Sequence, residues 1–345
     1  ILGHLFSKQL VEQIHLRQCV IILHYVISLR MKRTMIREPR RILFIGLGGA
    51  GQRHLRLFRE RLPDAEMITW RRVRKTPLLN SDFSVVRGES LEERYGVTVF
   101  ENLEDAYRTN PDLVVIAIPT AMHCDAIVDA AVRGIDVFVE KPAAVNLEES
   151  RRIREAIQKG GGDFFVSFQR RFHPLVERMI KAVHDSKIGP IISASVNVSS
   201  YVPDWHPYED FHDLYACSKD LGGGVLRTEC HELDLILTMF GMPKHVCSFL
   251  GNRSQHDLEV EDSAELLLDY DGHSVHASLC FMHKQQERRF IIKGQNGMIV
   301  CDLMEQTLSV ACDGRDVEVD NMTLSNDELF ELHLDYYLNK HKRGN

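Results

Sequence analysis

Residues 41–51, RILFIGLGGAG, constrain this chain more than any other stretch. Arg41–Ile45 is a short apolar run rich in β-formers. It feeds directly into Gly46, Gly48 and Gly51, spaced G-x-G-x-x-G. Gln52–Leu62 then reads as a helix that Pro63 ends. A strand, a glycine turn and a helix in that order form the dinucleotide-binding fingerprint. Gly46 permits the tight turn out of the strand. Gly48, lacking a Cβ, lets backbone approach a pyrophosphate, and Gly51 allows close packing of helix on strand. Gly49 and Ala50 between them count as further cofactor contacts. The helix N-terminus adds free N–H groups and the positive end of its dipole.

The 345 residues suffice for two domains. A content of 44% hydrophobic and 26% charged residues is that of an ordinary globular protein, and a net charge of −7 argues against nucleic acid as a partner. Eight cysteines include no C-x-x-C pair, which reads as scattered reduced thiols of a cytoplasmic protein without a metal site. The apolar run Cys19–Leu29 is 11 residues, against ~20 for a bilayer span. Residues 1–38 are therefore expected to be an extension without a fold role. The alternative is an amphipathic helix used for packing or membrane contact.

From residue 39 to 168 strands and helices alternate, as in a doubly wound parallel sheet. The expected strands are 41–45, 66–70, 97–100, 112–118, 135–139 and 164–168. The second ends at Trp70-Arg71-Arg72, where NAD enzymes carry a carboxylate for the ribose hydroxyls. Arginine there pairs with a 2′-phosphate, so the cofactor is expected to be NAD(P), leaning to NADP. Gly46, Arg71, Pro119, Lys141 and Gln169 all fall at carboxyl ends of strands, where such sheets bind ligands. Thr120, His123 and Glu140 accompany them in the expected cofactor set. From 169 to 345 long alternating segments predict an α+β domain with a mostly antiparallel sheet. A helix over 225–239 interrupts it behind Gly222-Gly223-Gly224, and Asp271-Gly272 signals a hairpin.

Lys141 follows a buried strand and precedes Pro142, so its amine is placed to hydrogen-bond a substrate hydroxyl, with Glu140 beside it to hold it. His231 lies on the helix behind the three glycines, and an imidazole suits proton exchange with a secondary alcohol. A histidine satisfied in the core fits the same pattern. Glu229 is a second acid–base candidate, and Asp234 stands where it orients the ring or is simply solvated. The loop 201–219, with Trp205, His206 and Tyr208, carries groups that stack on and hydrogen-bond sugars, and Arg171 suits an anionic substrate. The alternatives are a packed interdomain loop or oligomer contact for 201–219, and a domain-crossing segment with salt bridges for 169–173.

These residues resemble the glucose–fructose oxidoreductase, inositol dehydrogenase and rhizopine-catabolism (Gfo/Idh/MocA) family over roughly 40–325. The carrying motifs are GLGGAG at 46–51, IPTAMH at 118–123, EKP at 140–142, FQRRFHP at 168–174 and GGGVLRTECHELD at 222–234. The resemblance implies a Rossmann domain followed by an antiparallel-sheet domain, and NAD(P)-dependent oxidation or reduction of a sugar or cyclitol carbinol; GQRHLR at 51–56 and the stretch WHPYEDFHDLYACSKDLGGG resemble a branch linked to surface-polysaccharide sugar synthesis, which leans the expectation toward a nucleotide-linked or acidic sugar. It makes Lys141 similar to the active-site lysine and His231 to the acid–base histidine. A homo-oligomer through the second domain's sheet is also expected. Two departures stand out. Thr228 occupies a place near which the family carries a carboxylate, and the chain ends soon after an expected helix over 328–338, where the family usually adds another. The alternatives are a reductase of a non-sugar substrate and a dinucleotide-binding regulator without catalysis.

Overall fold

The computed structural model describes residues 38–71, 77–206 and 208–342. The expected extension over 1–37 and Arg72 lie outside them. The described residues divide into two compact units. One comprises 38–167, 206–208 and the stretch from Phe330 onward; the other comprises 168–205 and 209–329.

The first unit is built on six strands: β1 (Arg41–Ile45), β2 (Glu66–Trp70), β3 (Val97–Phe100), β4 (Leu113–Ile116), β5 (Asp136–Glu140) and β6 (Phe164–Ser167). All neighbours pair in parallel, in the order β3-β2-β1-β4-β5-β6. This is the doubly wound order that places a ligand crevice at the switch between β1 and β4. β1 and β4 are buried on both faces, which explains their unbroken apolar sequence. The helices between them are α1 (Gly49–Arg61), α2 (Leu91–Tyr95), α3 (Leu103–Arg108), α4 (His123–Val132) and α5 (Leu147–Gly160). Asn102 and Asn146 cap α3 and α5 by accepting from backbone N–H groups, and Gly161 ends α5 in the left-handed region. Short α2 was absent from the expectation, although Ser90 and Glu93 form a full capping box around its first turn.

The second unit holds α6 (Pro174–His184), β7 (Ile191–Tyr201), α7 (Val225–Thr228), α8 (Cys230–Phe240), and strands β8 (His245–Gly251), β9 (Ser263–Asp269), β10 (Ser274–Cys280), β11 (Met282–Gly294), β12 (Gly297–Asp302), β13 (Thr307–Cys312) and β14 (Glu318–Asn321). They form one sheet ordered β14-β13-β12-β11-β7-β10-β9-β8, antiparallel except where β7 meets β10. Strands β8 and β14 were not anticipated. Both are edge strands, and their exposed, interrupted patterns lack the alternation of a half-buried strand. The helix expected over 225–239 is broken at Glu229, whose backbone leaves the helical region.

The last helix, α9 (Asn326–Lys342), departs from the division that gave 169–345 entirely to the second domain. Phe330, Leu334, Tyr337 and Leu338 recur at helical spacing and join the core formed by Phe44, Phe58 and Phe138 of the first unit. Arg61 on α1 binds Glu331 and Asp335, each at 2.9 Å. Burying four such side chains stabilises this packing by about 1.5–3 kcal/mol each.

Candidate active site

The glycine turn of the first unit is shaped by backbone crowding. Gly46 has φ +93°, and a Cβ there would stand 2.5 Å from the Ala117 carbonyl oxygen. A Cβ on Gly51 would come within 2.1 Å of the Gly46 oxygen. Gly48 is different: the space a Cβ would take is open for 4 Å around. Gly48 caps α1 without a side-chain bond, and the first turn holds no acidic residue. A helix start with unmet N–H groups, an open approach at Gly48 and no competing carboxylate fits a pyrophosphate. Gln52, which the sequence analysis did not single out, fixes the turn from behind. Its side chain donates to the carbonyls of Leu47 (3.1 Å) and Pro77 (2.8 Å) and accepts from the Leu79 N–H (2.9 Å).

At the carboxyl end of β5, Glu140 is held by three groups. His54 Nε2 lies 2.6 Å from Oε1, the Ser167 hydroxyl donates to the same oxygen at 3.1 Å, and the Lys141 N–H donates to Oε2 at 3.2 Å. Burial alone would raise this carboxyl's pKa. The bond and charge of His54, then the charges of Lys141 and His333, outweigh burial and hold it at about 2. An ionised Glu140 requires Nε2 of His54 to carry the proton between them. Half-buried Lys141 follows directly, joined to Pro142 by a cis peptide. His123, expected among the cofactor contacts, is turned to another task. It is buried, and its two ring nitrogens each lie 2.8 Å from a backbone carbonyl, those of Pro142 and Ile118. It ties the ends of β4 and β5 together. Pro119 and Thr120 open the 3-10 turn after β4, with Thr120 buried.

In the second unit His231 lies on the first turn of α8, 5% exposed, with the Phe168 ring edge-on at 5.9 Å. Glu229, at the break before α8, and Glu232 and Asp234 on α8 put three acids into the core. Arg288 of β11 binds Glu229 at 2.8 Å and also Glu232, and the Ser200 hydroxyl donates to Glu229 at 2.7 Å. Burial pushes the Glu232 carboxyl upward, against the pull of Arg288. Nearby Arg170 is held down to about 10, chiefly by burial and then by the Arg288 charge. Arg171 grips Asp234 through both nitrogens of its fork. This corrects two expectations: Arg171 is committed to an internal carboxylate rather than open to a substrate, and Asp234 is neither solvated nor a partner of His231. Glu229 likewise sits in an ion pair. Thr228 and Gln169 are both buried.

The remaining candidates separate. Arg71 and Glu92 are both partly exposed and face each other at 3.6 Å. Trp205 belongs to the second unit, whereas His206 and Tyr208 belong to the first. Their rings are stacked, 5.2 Å apart, and Phe83 lies 5.7 Å from His206.

Two family models match the chain: "Oxidoreductase family, NAD-binding Rossmann fold" over 40–168 and "GFO/IDH/MocA C-terminal domain" over 176–300. The chain belongs to the Gfo/Idh/MocA oxidoreductase family. Among curated members, a D-xylose 1-dehydrogenase (NADP(+)) from Haloferax volcanii is 29% identical over 47% of this chain and 47% of its own length. A scyllo-inositol 2-dehydrogenase (NAD(+)) from Bacillus subtilis is 32% identical over 43% of this chain and 41% of its own. The matches thus span about half the length of these relatives. Among solved structures, the WlbA dehydrogenase from Bordetella pertussis, in complex with NADH and UDP-GlcNAcA, shares the fold. Its TM-score is 0.67 at 19% identity, covering 90% of this chain and 86% of that one. Among the described residues, no helix is long and apolar enough to cross a membrane.

Proposed function

We propose that this Gfo/Idh/MocA protein is an NAD(P)-dependent oxidoreductase that moves a hydride to or from a secondary alcohol or ketone of a sugar or nucleotide-sugar. The observation that carries this reading is Glu140–Lys141 at the carboxyl end of β5, braced by buried His54, in the same sheet whose β1 enters the open glycine turn. A nicotinamide dinucleotide, when bound, supplies the hydride acceptor or donor. The chain's residues supply the rest. Gly46, Gly48, Gly49, Ala50 and Gly51 offer backbone to the pyrophosphate. The Lys141 ammonium orients and polarises the substrate oxygen. His231 exchanges the proton, as imidazoles do near neutral pH. The buried acids and Arg288 lock α8, so the ring keeps one orientation. Trp205, His206, Tyr208 and Thr228 are the further side chains we assign to substrate.

Arg71 and Arg72 favour the 2′-phosphate of NADP, although the Glu92 charge opposes that preference. Relatives named for either cofactor occur, so a titration with NADPH and NADH decides between them. Phe249 and Leu267, 54% and 51% exposed on one face of the second sheet, suit a second copy of this chain, to be checked by light scattering. The test of the roles is turnover. Nicotinamide absorbance should change with a sugar substrate in the wild type and be lost in Lys141→Ala and in His231→Ala. Normal turnover in both variants would sink the assignment.

A further inference from the structure

Arg170, Arg171 and Arg288 all approach α8 in the second unit, and two of them have carboxylate partners there. Arg171 holds Asp234 through its fork, and Arg288 binds Glu229 and Glu232. Arg170 forms no hydrogen bond or ion pair among the described residues, and its Nε is buried without a partner. Burying a cation is costly unless a counter-charge meets it with hydrogen-bond geometry. Glu229 and Glu232 act on Arg170 through their charge alone, because both are hydrogen-bonded to Arg288 instead. Even the unbonded Oε2 of Glu232 forms no ion pair with it. Burial and the Arg288 charge push the Arg170 pKa down, and an anion against the guanidinium would oppose both.

The place of this arginine gives the unmet charge a use. Arg170 lies in the 3-10 turn Gln169–Phe172. Phe168, just before the turn, packs edge-on against the His231 ring, and Arg171 binds Asp234 on the same helix as His231. The turn therefore runs along the segment that carries the acid–base candidate. Gln169 in that turn is buried too, and its Oε1 has no partner. One turn thus holds an unmet donor and an unmet acceptor. A molecule that satisfies both carries an anionic oxygen and a hydroxyl.

We propose that Arg170 binds a carboxylate of the substrate, which makes the preferred substrate an acidic sugar, with Gln169 accepting from a hydroxyl of the same molecule. This rests on the oxidoreductase reading and narrows its substrate class. It gives Arg170 the role that the sequence pattern offered to Arg171. A planar guanidinium suits the two oxygens of a carboxylate, and a neutral sugar would leave the buried charge unmet, so it is selected against.

Calorimetry on the full chain loaded with NADH tests this with two matched pairs, D-glucuronate against D-glucose and UDP-glucuronate against UDP-glucose. The proteins are wild type, Arg170→Gln and Arg170→Lys. Wild type should bind the acid of at least one pair roughly ten- to a hundredfold more tightly than its neutral counterpart, the worth of hydrogen bonds to a charged group. Arg170→Gln should lose this preference while its affinity for NADH stays unchanged. Arg170→Lys keeps a cation near Glu229 and Glu232, which guards against a loss of folding, and without the fork it should retain only part of the preference. Equal binding of acid and neutral sugar by wild type, binding of neither pair, or a preference that survives in Arg170→Gln would overturn the assignment. So would an equal loss of acid and neutral sugar in either variant, the mark of a merely structural role. Failure of the wild type to bind NADH would instead sink the oxidoreductase reading on which the assignment rests.

Discussion

The pair His54–Glu140 lends itself to a quantitative test. Replacing His54 by Leu keeps the volume roughly constant in a site that is 2% exposed at the imidazole and 14% at the carboxylate. It leaves Glu140 with only Ser167 and a backbone N–H as hydrogen-bond donors. The wild-type carboxyl is held at about 2 against an ordinary 4.5. At about 1.36 kcal/mol per unit, that difference amounts to about 3 kcal/mol of stability at neutral pH. Breaking a buried pair by removing one partner costs a similar amount. The sign follows from linkage. A carboxyl depressed by folding stabilises above its unfolded pKa, and the stability is lost as pH falls from about 4.5 through about 2. Urea denaturation at pH 7 should therefore show His54→Leu less stable by about 3 kcal/mol, with the gap to wild type narrowing as the buffer is acidified below 4.5. His54→Leu combined with Glu140→Gln removes the uncompensated charge and should regain most of the loss. An unchanged midpoint in the single variant, or a double variant weaker than the single, would refute the argument.

Two further outcomes follow from ion pairs already described. Arg288→Met leaves Glu229 and Glu232 buried together without their shared cation, and should destabilise by about 3–5 kcal/mol in the same assay; a change below about 1 kcal/mol would mean that Arg170 carries the compensation. Glu92→Gln removes the carboxylate facing Arg71, and the ratio of NADPH to NADH affinity should rise roughly threefold to tenfold, as expected for a partly exposed pair worth up to about 1 kcal/mol; an unchanged ratio would show that Arg71 takes no part in reading the 2′-phosphate.

What the sequence made legible was local. β1, β2 and β3 lie at the residues expected of them, because a short β-forming run between turn residues leaves little freedom. The glycine turn was readable for the same reason: its three constraints fall within six residues. The partners of the buried charges were not. Asp234 is bound by a residue 63 positions away, Glu229 by one 59 away and Glu140 by one 86 away. No period or motif announces such pairs, so Arg171 read as a substrate ligand and Glu229 as an acid–base candidate, whereas both are spent on neutralising the core. The break in the helix over 225–239 has the same origin. Propensity favours a continuous helix there, and the chain leaves it at Glu229, the residue that must reach both Arg288 and Ser200.

Phe83, with φ +63°, marks the opposite limit, a place where local chemistry argues against what the structure does. Nothing in Ser81-Asp82-Phe83-Ser84 favours a left-handed aromatic residue, and a glycine at that position would carry less strain. The conformation persists because Gln52 and the Leu79–Val85 bridge hold the segment to α1, and because Gly49 leaves room for the ring. A fold that accepts strain at one residue and removes a side chain at another, both at the mouth of the same helix, has shaped that mouth for more than packing. Gly49 therefore serves less to free its own backbone than to seat Phe83, and the x of a G-x-G-x-x-G motif, silent in the sequence pattern, becomes a specific position of this site.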